Sequence, residues 1–116
     1  MPKASMNLLQ GTLDLVVLKA LVFGPRHGYE VARWVLTTTD GELNVDDGAL
    51  YTALHRLQKR GWLKAEWGVT ERNRRAKYYA LTAGGRRQLA TEASTWERYA
   101  EAMFKVLGAT ADAAEV

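Results

Sequence analysis

The sequence predicts a small α+β domain, because its apolar residues follow a helical period at both ends of the chain and a strand-like pattern between them. The chain has 116 residues, which is the size of one domain. Apolar residues make up 47% and charged residues 25%, values that exclude a disordered chain. At this size the core is thin, and self-association is a plausible source of further stability.

The N-terminal third predicts two helices separated by a turn. The first begins at Gly11 or Thr12 and ends before the Gly24–Gly28 turn, where glycine and proline interrupt a helix. Its apolar residues recur at helical spacing: Leu9, Leu13, Val16, Val17, Ala20 and Leu21. The second helix runs from about Tyr29 to Thr38. Its inward residues are Val31, Val35 and either Trp34 or Leu36.

A third helix follows, with Asp46 or Asp47 as its N-cap and Gly61 as the left-handed residue after its end. Its buried stripe is Leu50, Leu54 and Leu57. Its opposite face carries Thr52, His55, Arg56 and Lys59, with Tyr51 at the edge. Such side chains suit the major groove of DNA, where arginine pairs bidentately with guanine. Taken alone, the same face is better explained as the solvated face of an ordinary amphipathic helix.

After Gly61 the pattern predicts a β-hairpin with a long basic tip. One strand spans Trp62 to Trp67 and ends at Gly68, and the other spans Lys77 to Leu81. About eight residues join them, and the tip is expected to present Arg72, Asn73, Arg74, Arg75 and Lys77. Guanidinium groups fit phosphates, and an arginine can enter a narrow minor groove. A flexible, solvated turn is the alternative.

Basic residues are concentrated in this part of the chain. Between Arg56 and Arg87 there are ten basic and two acidic residues, a formal charge of +8, whereas the whole chain carries +3. A charge block of this kind favours a surface that faces a polyanion.

Thr82 is expected to cap a final helix that continues to about Leu107. Its apolar stripe is heptad-like: Leu89, Ala93, Trp96, Ala100, Met103 and Leu107. This stripe predicts a homodimer, although the helix could instead fold back on its own domain. Trp96 is interpreted as interface packing or as a platform for a small aromatic effector. The chain thus divides into a DNA-binding domain (1–82), a dimerisation helix (83–108) and a tail (109–116) expected to be disordered.

Other classes of protein are excluded by what the sequence lacks. There is no cysteine, only two histidines, no nucleophilic serine elbow and no phosphate-binding glycine loop. We therefore expect no catalytic residues, no metal site and no cofactor. The most apolar stretch, Leu8 to Phe23, contains Asp14 and Lys19 and is too short to span a membrane. No signal-peptide pattern is present, so a cytoplasmic protein is expected.

Three helices, a strand, a basic loop, a second strand and a long helix form the order of a winged helix-turn-helix with a C-terminal dimerisation helix. The predicted partners are double-stranded DNA and a second copy of the chain, since DNA is usually read at two half-sites. The alternative is a winged-helix module that docks an acidic protein without sequence-specific DNA binding.

The chain resembles the PadR family of transcriptional regulators, in its short type with a single C-terminal helix. The resemblance covers residues 8–107. The motifs that carry it are Gly11-Thr12-Leu13-Asp14-Leu15, Gly24-Pro25-Arg26-His27-Gly28-Tyr29-Glu30, Gly48-Ala49-Leu50-Tyr51, Leu54-His55-Arg56-Leu57, Gly61-Trp62, Trp67-Gly68, Asn73-Arg74-Arg75-Ala76-Lys77-Tyr78-Tyr79 and Leu81-Thr82-Ala83-Gly84-Gly85-Arg86.

The resemblance implies a homodimeric repressor whose third helices enter successive major grooves of a pseudo-palindromic operator. It implies that the wing grips the DNA backbone or minor groove, and that Tyr29 and Tyr51 anchor phosphates. It places Trp96 at the dimer interface, where some relatives bind flat aromatic effectors. Two positions depart from the family: Thr52 stands where proline is common, and Ala93 where some drug-binding relatives carry a second aromatic residue.

Overall fold

The structure, a computed structural model, describes residues 6–8 and 11–110. These residues form four helices and two pairs of strands, of which one pair is parallel and the other antiparallel. The elements in chain order are β1 (Met6–Asn7), α1 (Leu13–Ala20), α2 (Gly28–Thr38), β2 (Leu43–Asn44), α3 (Asp47–Lys59), β3 (Leu63–Val69), β4 (Arg75–Leu81) and α4 (Ala83–Gly108). The predicted α+β winged-helix arrangement is confirmed.

The first helix has Thr12 at its N-cap position and buries Val17, Leu18 and Ala20. Leu9, which the pattern assigned to this helix, and tail residues 111–116 lie outside the described residues. Apolar spacing therefore locates α1 correctly, and its buried side chains join those of α2 and α3 in one core.

The second helix begins at Gly28, one residue earlier than expected, because His27 caps it. His27 Nδ1 accepts a hydrogen bond from the Glu30 N–H at 3.3 Å, and the Glu30 carboxylate accepts one from the His27 N–H at 3.2 Å. This reciprocal pair is a capping box. Of the two alternatives for the inward residue, Trp34 packs against the core and Leu36 is exposed.

Asp46 is the N-cap of α3, and its carboxylate accepts a hydrogen bond from the Ala49 N–H at 2.9 Å. The predicted leucine stripe of this helix is buried, with each side chain at most 1% exposed. After the helix, Gly61 has a φ of +79°, the left-handed conformation that was predicted for it. These features fix where the exposed face of α3 points.

The hairpin differs from the prediction in the length of its loop. The strands pair from Leu63 opposite Leu81 to Val69 opposite Arg75, so that only residues 70–74 connect them. The Thr70 N–H donates to the Arg74 carbonyl at 2.8 Å, and Asn73 turns the chain with a φ of 59°. The expected eight-residue loop was wrong, because backbone pairing continues through polar residues that have no apolar pattern.

Two basic residues that were expected at the tip of the hairpin lie in its second strand. Arg75 was expected in the loop, and Lys77 was expected at the tip as the first residue of the second strand. Both lie within β4, where the pleat assigns each of them to a defined face of the hairpin. Trp62, expected to begin the first strand, precedes β3, and its N–H donates to the Leu57 carbonyl at 3.1 Å. The wing is therefore a longer and more regular ribbon than the sequence indicated.

Two further pairings hold the wing and the N-terminus on the domain. Arg26 exchanges backbone hydrogen bonds of 3.0 and 2.9 Å with Tyr79, which joins the start of α2 to the free edge of β4. β1 runs parallel to β2, with Met6 opposite Leu43. Neither pairing was predicted, since strands of two residues carry no detectable period.

The last helix begins as predicted, with the Thr82 hydroxyl accepting a hydrogen bond from the Gly85 N–H at 3.0 Å. Its first turns pack on α1 and β4, and Leu89 contacts the core. Its C-terminal half extends into solvent, where Phe104 is 73% and Leu107 is 74% exposed. No helix within residues 6–8 and 11–110 is long and apolar enough to cross a membrane.

Candidate nucleic-acid interface

The outward face of α3 carries a row of three exposed polar side chains. Thr52, His55 and Lys59 follow one another at spacings of three and four residues, opposite the buried leucines. The Thr52 hydroxyl donates to the Gly48 carbonyl at 3.0 Å, so its oxygen keeps acceptor capacity and its methyl group remains on the surface. The row offers a methyl group, an imidazole and an ammonium group to a partner.

Arg56 lies at the boundary of this face and is bound within the protein. Its guanidinium Nη2 donates to the Asp14 carboxylate of α1. The Arg56 side chain is 40% exposed and that of Asp14 is 22% exposed. Sequence reasoning did not find this ion pair, because the partners are 42 positions apart. The base contact expected of Arg56 stays a prediction, and it requires Arg56 to exchange Asp14 for DNA.

An open cleft of about 680 Å³ separates α3 from the wing. It is lined by His55, Arg56, Gln58, Lys59 and Lys77. Three of these five side chains carry a positive charge, and none carries a negative one. The cleft thus brings the helix residues and one wing residue together around a space suited to an anion.

Of the predicted phosphate-anchoring tyrosines, Tyr29 lies in the first turn of α2, and Tyr51 lies on α3 with its ring at the start of α2. The ring of Tyr51 covers Gly28 so closely that a Cβ at position 28 would be 2.8 Å from the Tyr51 hydroxyl oxygen. The Tyr29 ring stacks on His27 with 6.3 Å between ring centroids. Both tyrosines are more than half exposed. They flank the positive end of a helix dipole, which favours anions, but their contact with phosphate stays a prediction.

One tyrosine of the wing is structural. Tyr79 is buried in the core cluster, and burial raises the pKa of its hydroxyl, with nearby Tyr51 adding to the shift. The neutral phenol is therefore favoured over the phenolate. Tyr78, on the other face of β4, contacts His27 edge to face at 5.3 Å. These contacts attach the wing to the start of α2.

The basic residues of the wing occupy two places. Arg72, Asn73 and Arg74 are exposed in the loop, where the Arg74 N–H donates to the Thr70 hydroxyl at 3.2 Å. On β4, the Arg75 guanidinium lies 4.8 Å from the centre of the Trp67 ring, and Lys77 Nζ lies 5.7 Å from that of Tyr79. Sequence reasoning did not assign Trp67 to the site.

The stripe assigned to dimerisation is only partly covered by the rest of the chain. Leu89, Ala93 and Ala100 are half-buried, whereas Trp96, Met103 and Leu107 are exposed. Tyr99, Phe104 and Val106, which the predicted stripe did not include, are exposed as well. This much exposed apolar surface on one helix is typical of an interaction site. Dimerisation and effector binding stay predictions.

Within residues 6–8 and 11–110, no group of three or more histidine, aspartate or glutamate side chains is placed to hold a metal ion. The expected absence of a metal site stays a prediction.

Comparison with known proteins identifies relatives along most of the chain. Residues 17–91 match the family described as "Transcriptional regulator PadR-like family". A transcriptional regulator from Clostridium thermocellum is similar in structure, with 29% identity, a TM-score of 0.75, and coverage of 83% of this chain and 90% of that one.

Two further solved structures are similar to this chain. A PadR family transcription regulator from Clostridium difficile R20291 has 26% identity and a TM-score of 0.71, over 84% of this chain and 100% of that one. A PadR family transcriptional regulator from Eggerthella lenta DSM 2243 has 28% identity and a TM-score of 0.71, over 87% and 86% of the two chains.

Proposed function

Because this chain belongs to the PadR-like family of transcriptional regulators, we propose that it is a homodimeric repressor that binds a pseudo-palindromic operator. Regulators of this family bind DNA and are not enzymes, and the sequence likewise gives no indication of an enzyme. Such a repressor works in the cytoplasm, as the sequence predicts. We propose repression, dimerisation and operator symmetry in addition to family membership.

The cleft between α3 and the wing is the observation that carries the proposal. It combines the exposed His55 and Lys59 of α3 with Lys77 of β4. A strand of DNA backbone in this cleft would bring α3 to the major groove on one side and the wing loop to the neighbouring groove on the other. Thr52, His55 and Lys59 then face base edges, and Arg56 joins them when it leaves Asp14.

The exposed half of α4 supports the homodimer. Its apolar residues recur at spacings of three and four over the last three turns, and a second copy of the same helix would cover them. Two α3 helices in one dimer would read two half-sites about one helical turn apart. A small aromatic effector is proposed to bind near Trp96, where it would act by changing the distance between the two α3 helices.

The test is a DNA-binding titration with the region upstream of the protein's own coding sequence, at two salt concentrations and with random DNA as competitor. With about six phosphate contacts, affinity should fall by roughly a thousandfold between 50 and 200 mM salt. Binding that resists the competitor supports the repressor. Binding that random DNA abolishes refutes it and favours a module that docks an acidic protein.

A further inference from the structure

The wing presents a face of unusual composition beyond the point where it leaves the core. In the pairing of β3 with β4, Leu63 and Ala65 share one face with Leu81 and Tyr79, and these residues pack on the core. Since side chains alternate along a strand, the same face continues outward through four more residues. They are Trp67, Val69, Arg75 and Lys77.

This outer part of the face, which we name the wing cradle, combines exposed apolar surface with two cations. Trp67 is 59% and Val69 is 63% exposed. Lys77 is directly opposite Trp67 in the register, and Arg75 lies against the Trp67 indole. The one acidic residue of the two strands, Glu66, points to the opposite face. The wing cradle is therefore apolar and positive at once.

A sugar–phosphate backbone has the matching chemistry, because it alternates an apolar deoxyribose face with a negative phosphate. An indole can cover a deoxyribose ring, and a guanidinium that lies against an indole keeps its N–H donors free for a phosphate. Lys77 also lines the cleft beside α3, so that the wing cradle is continuous with the cleft.

We propose that Trp67 is a DNA-contact residue that packs on deoxyribose while Arg75 and Lys77 hold the adjacent phosphates. The wing cradle thereby grips one strand of DNA with the face of the hairpin and not only with its tip. This assignment rests on the proposed DNA-binding function and adds a contact that is independent of base sequence.

The experiment measures binding of the full chain and of its variants Trp67→Ala and Trp67→Phe to two duplexes of about 30 base pairs, long enough for two half-sites. One duplex has a random sequence, and the other contains the upstream region of the protein's own gene. Trp67→Ala should weaken binding to both by about tenfold, and the salt dependence should stay unchanged because no cation is lost. Trp67→Phe, which keeps an aromatic ring, should restore most of the affinity.

A second readout locates the contact. Protein labelled with 5-fluorotryptophan gives one fluorine resonance for each tryptophan, and Trp67→Phe identifies that of Trp67. Adding the random duplex should shift this resonance. Trp62 is the matched control, because its ring also has an arginine beside it, with Arg60 5.2 Å away. Trp62 lies at the other end of the wing, beside the start of α4. Its resonance should not move.

The outcomes separate this proposal from the one on which it rests. If the wild type prefers the upstream region but Trp67→Ala binds as the wild type does, or the Trp67 resonance stays in place, the wing cradle is refuted and the repressor stands. If both duplexes bind equally and Trp67→Ala weakens both, the wing cradle stands and the repressor fails. If the wild type binds neither duplex, both are refuted. A thermal melt of each variant checks that it is folded.

Discussion

Replacing Asp14 by asparagine removes the acidic partner of Arg56 with almost no change in side-chain volume. The two side chains are 22% and 40% exposed, so water screens the ion pair and its worth is about 1 kcal/mol, the upper end for surface pairs. For a domain of this size, the melting temperature should therefore fall by about 5 °C. Melts are compared at equal protein concentration, because a dimer's melting temperature depends on it.

DNA affinity should change in the opposite direction. In the proposed complex Arg56 leaves Asp14 for DNA, so DNA binding costs the wild type about 1 kcal/mol of ion-pair energy. The Asp14→Asn variant has no ion pair to break and avoids this cost. The variant should bind the upstream region about fivefold more tightly in a fluorescence anisotropy titration. Arg56→Ala should instead weaken binding by ~1–3 kcal/mol and relax the base preference.

Two controls test whether the change in DNA affinity comes from the release of Arg56. Asp40→Asn removes one negative charge from an exposed turn whose positive φ asparagine also tolerates, and it measures the effect of net charge alone. In an Arg56→Ala background, Asp14→Asn should raise DNA affinity by no more than Asp40→Asn does. Weaker binding by Asp14→Asn would show that the ion pair persists on DNA, and that Arg56 fastens α3 to α1 without reading a base.

Three further predictions concern the wing loop, α4 and the start of α2. Arg74→Ala should weaken binding to all duplexes alike and lower the salt slope by about 1, and a loss confined to one sequence would contradict phosphate contact. Trp96→Ala should raise the dimer dissociation constant by roughly tenfold or more in sedimentation equilibrium, whereas an unchanged dimer would exclude the α4 interface. Gly28→Ala should destabilise the protein by ~1–3 kcal/mol in thermal unfolding, because the new Cβ would be 2.8 Å from the Tyr51 hydroxyl oxygen. An unchanged melting temperature would show that Tyr51 moves aside freely.

Local patterns were sufficient for most of the secondary structure. The leucine stripe of α3, the Asp46 cap and the left-handed Gly61 are encoded within a few residues, and all three were predictable. The hairpin was harder, because its strands continue into polar residues such as Arg75, where backbone pairing sustains the strand without an apolar signal. The strands β1 and β2 could not be predicted either, because two residues are too few to show a period.

The candidate site was predictable in composition and not in geometry. Charge and helical spacing indicated Thr52, His55 and Lys59, which the structure places in one exposed row. The same reasoning grouped Arg56 with them, although an ion pair with Asp14 holds it at the edge of the face. Trp67 was interpreted only as a strand residue, since its place beside Arg75 depends on the register of two strands.

The sequence by itself determined that this chain forms a winged helix-turn-helix with a basic face, because capping, apolar period and charge act over a few neighbouring residues. Only the tertiary structure decided which cations share a cleft, which one is bound by a carboxylate 42 positions away, and which face of the wing carries the exposed indole. Those properties depend on distances between segments that packing brings together, and no local pattern records such distances.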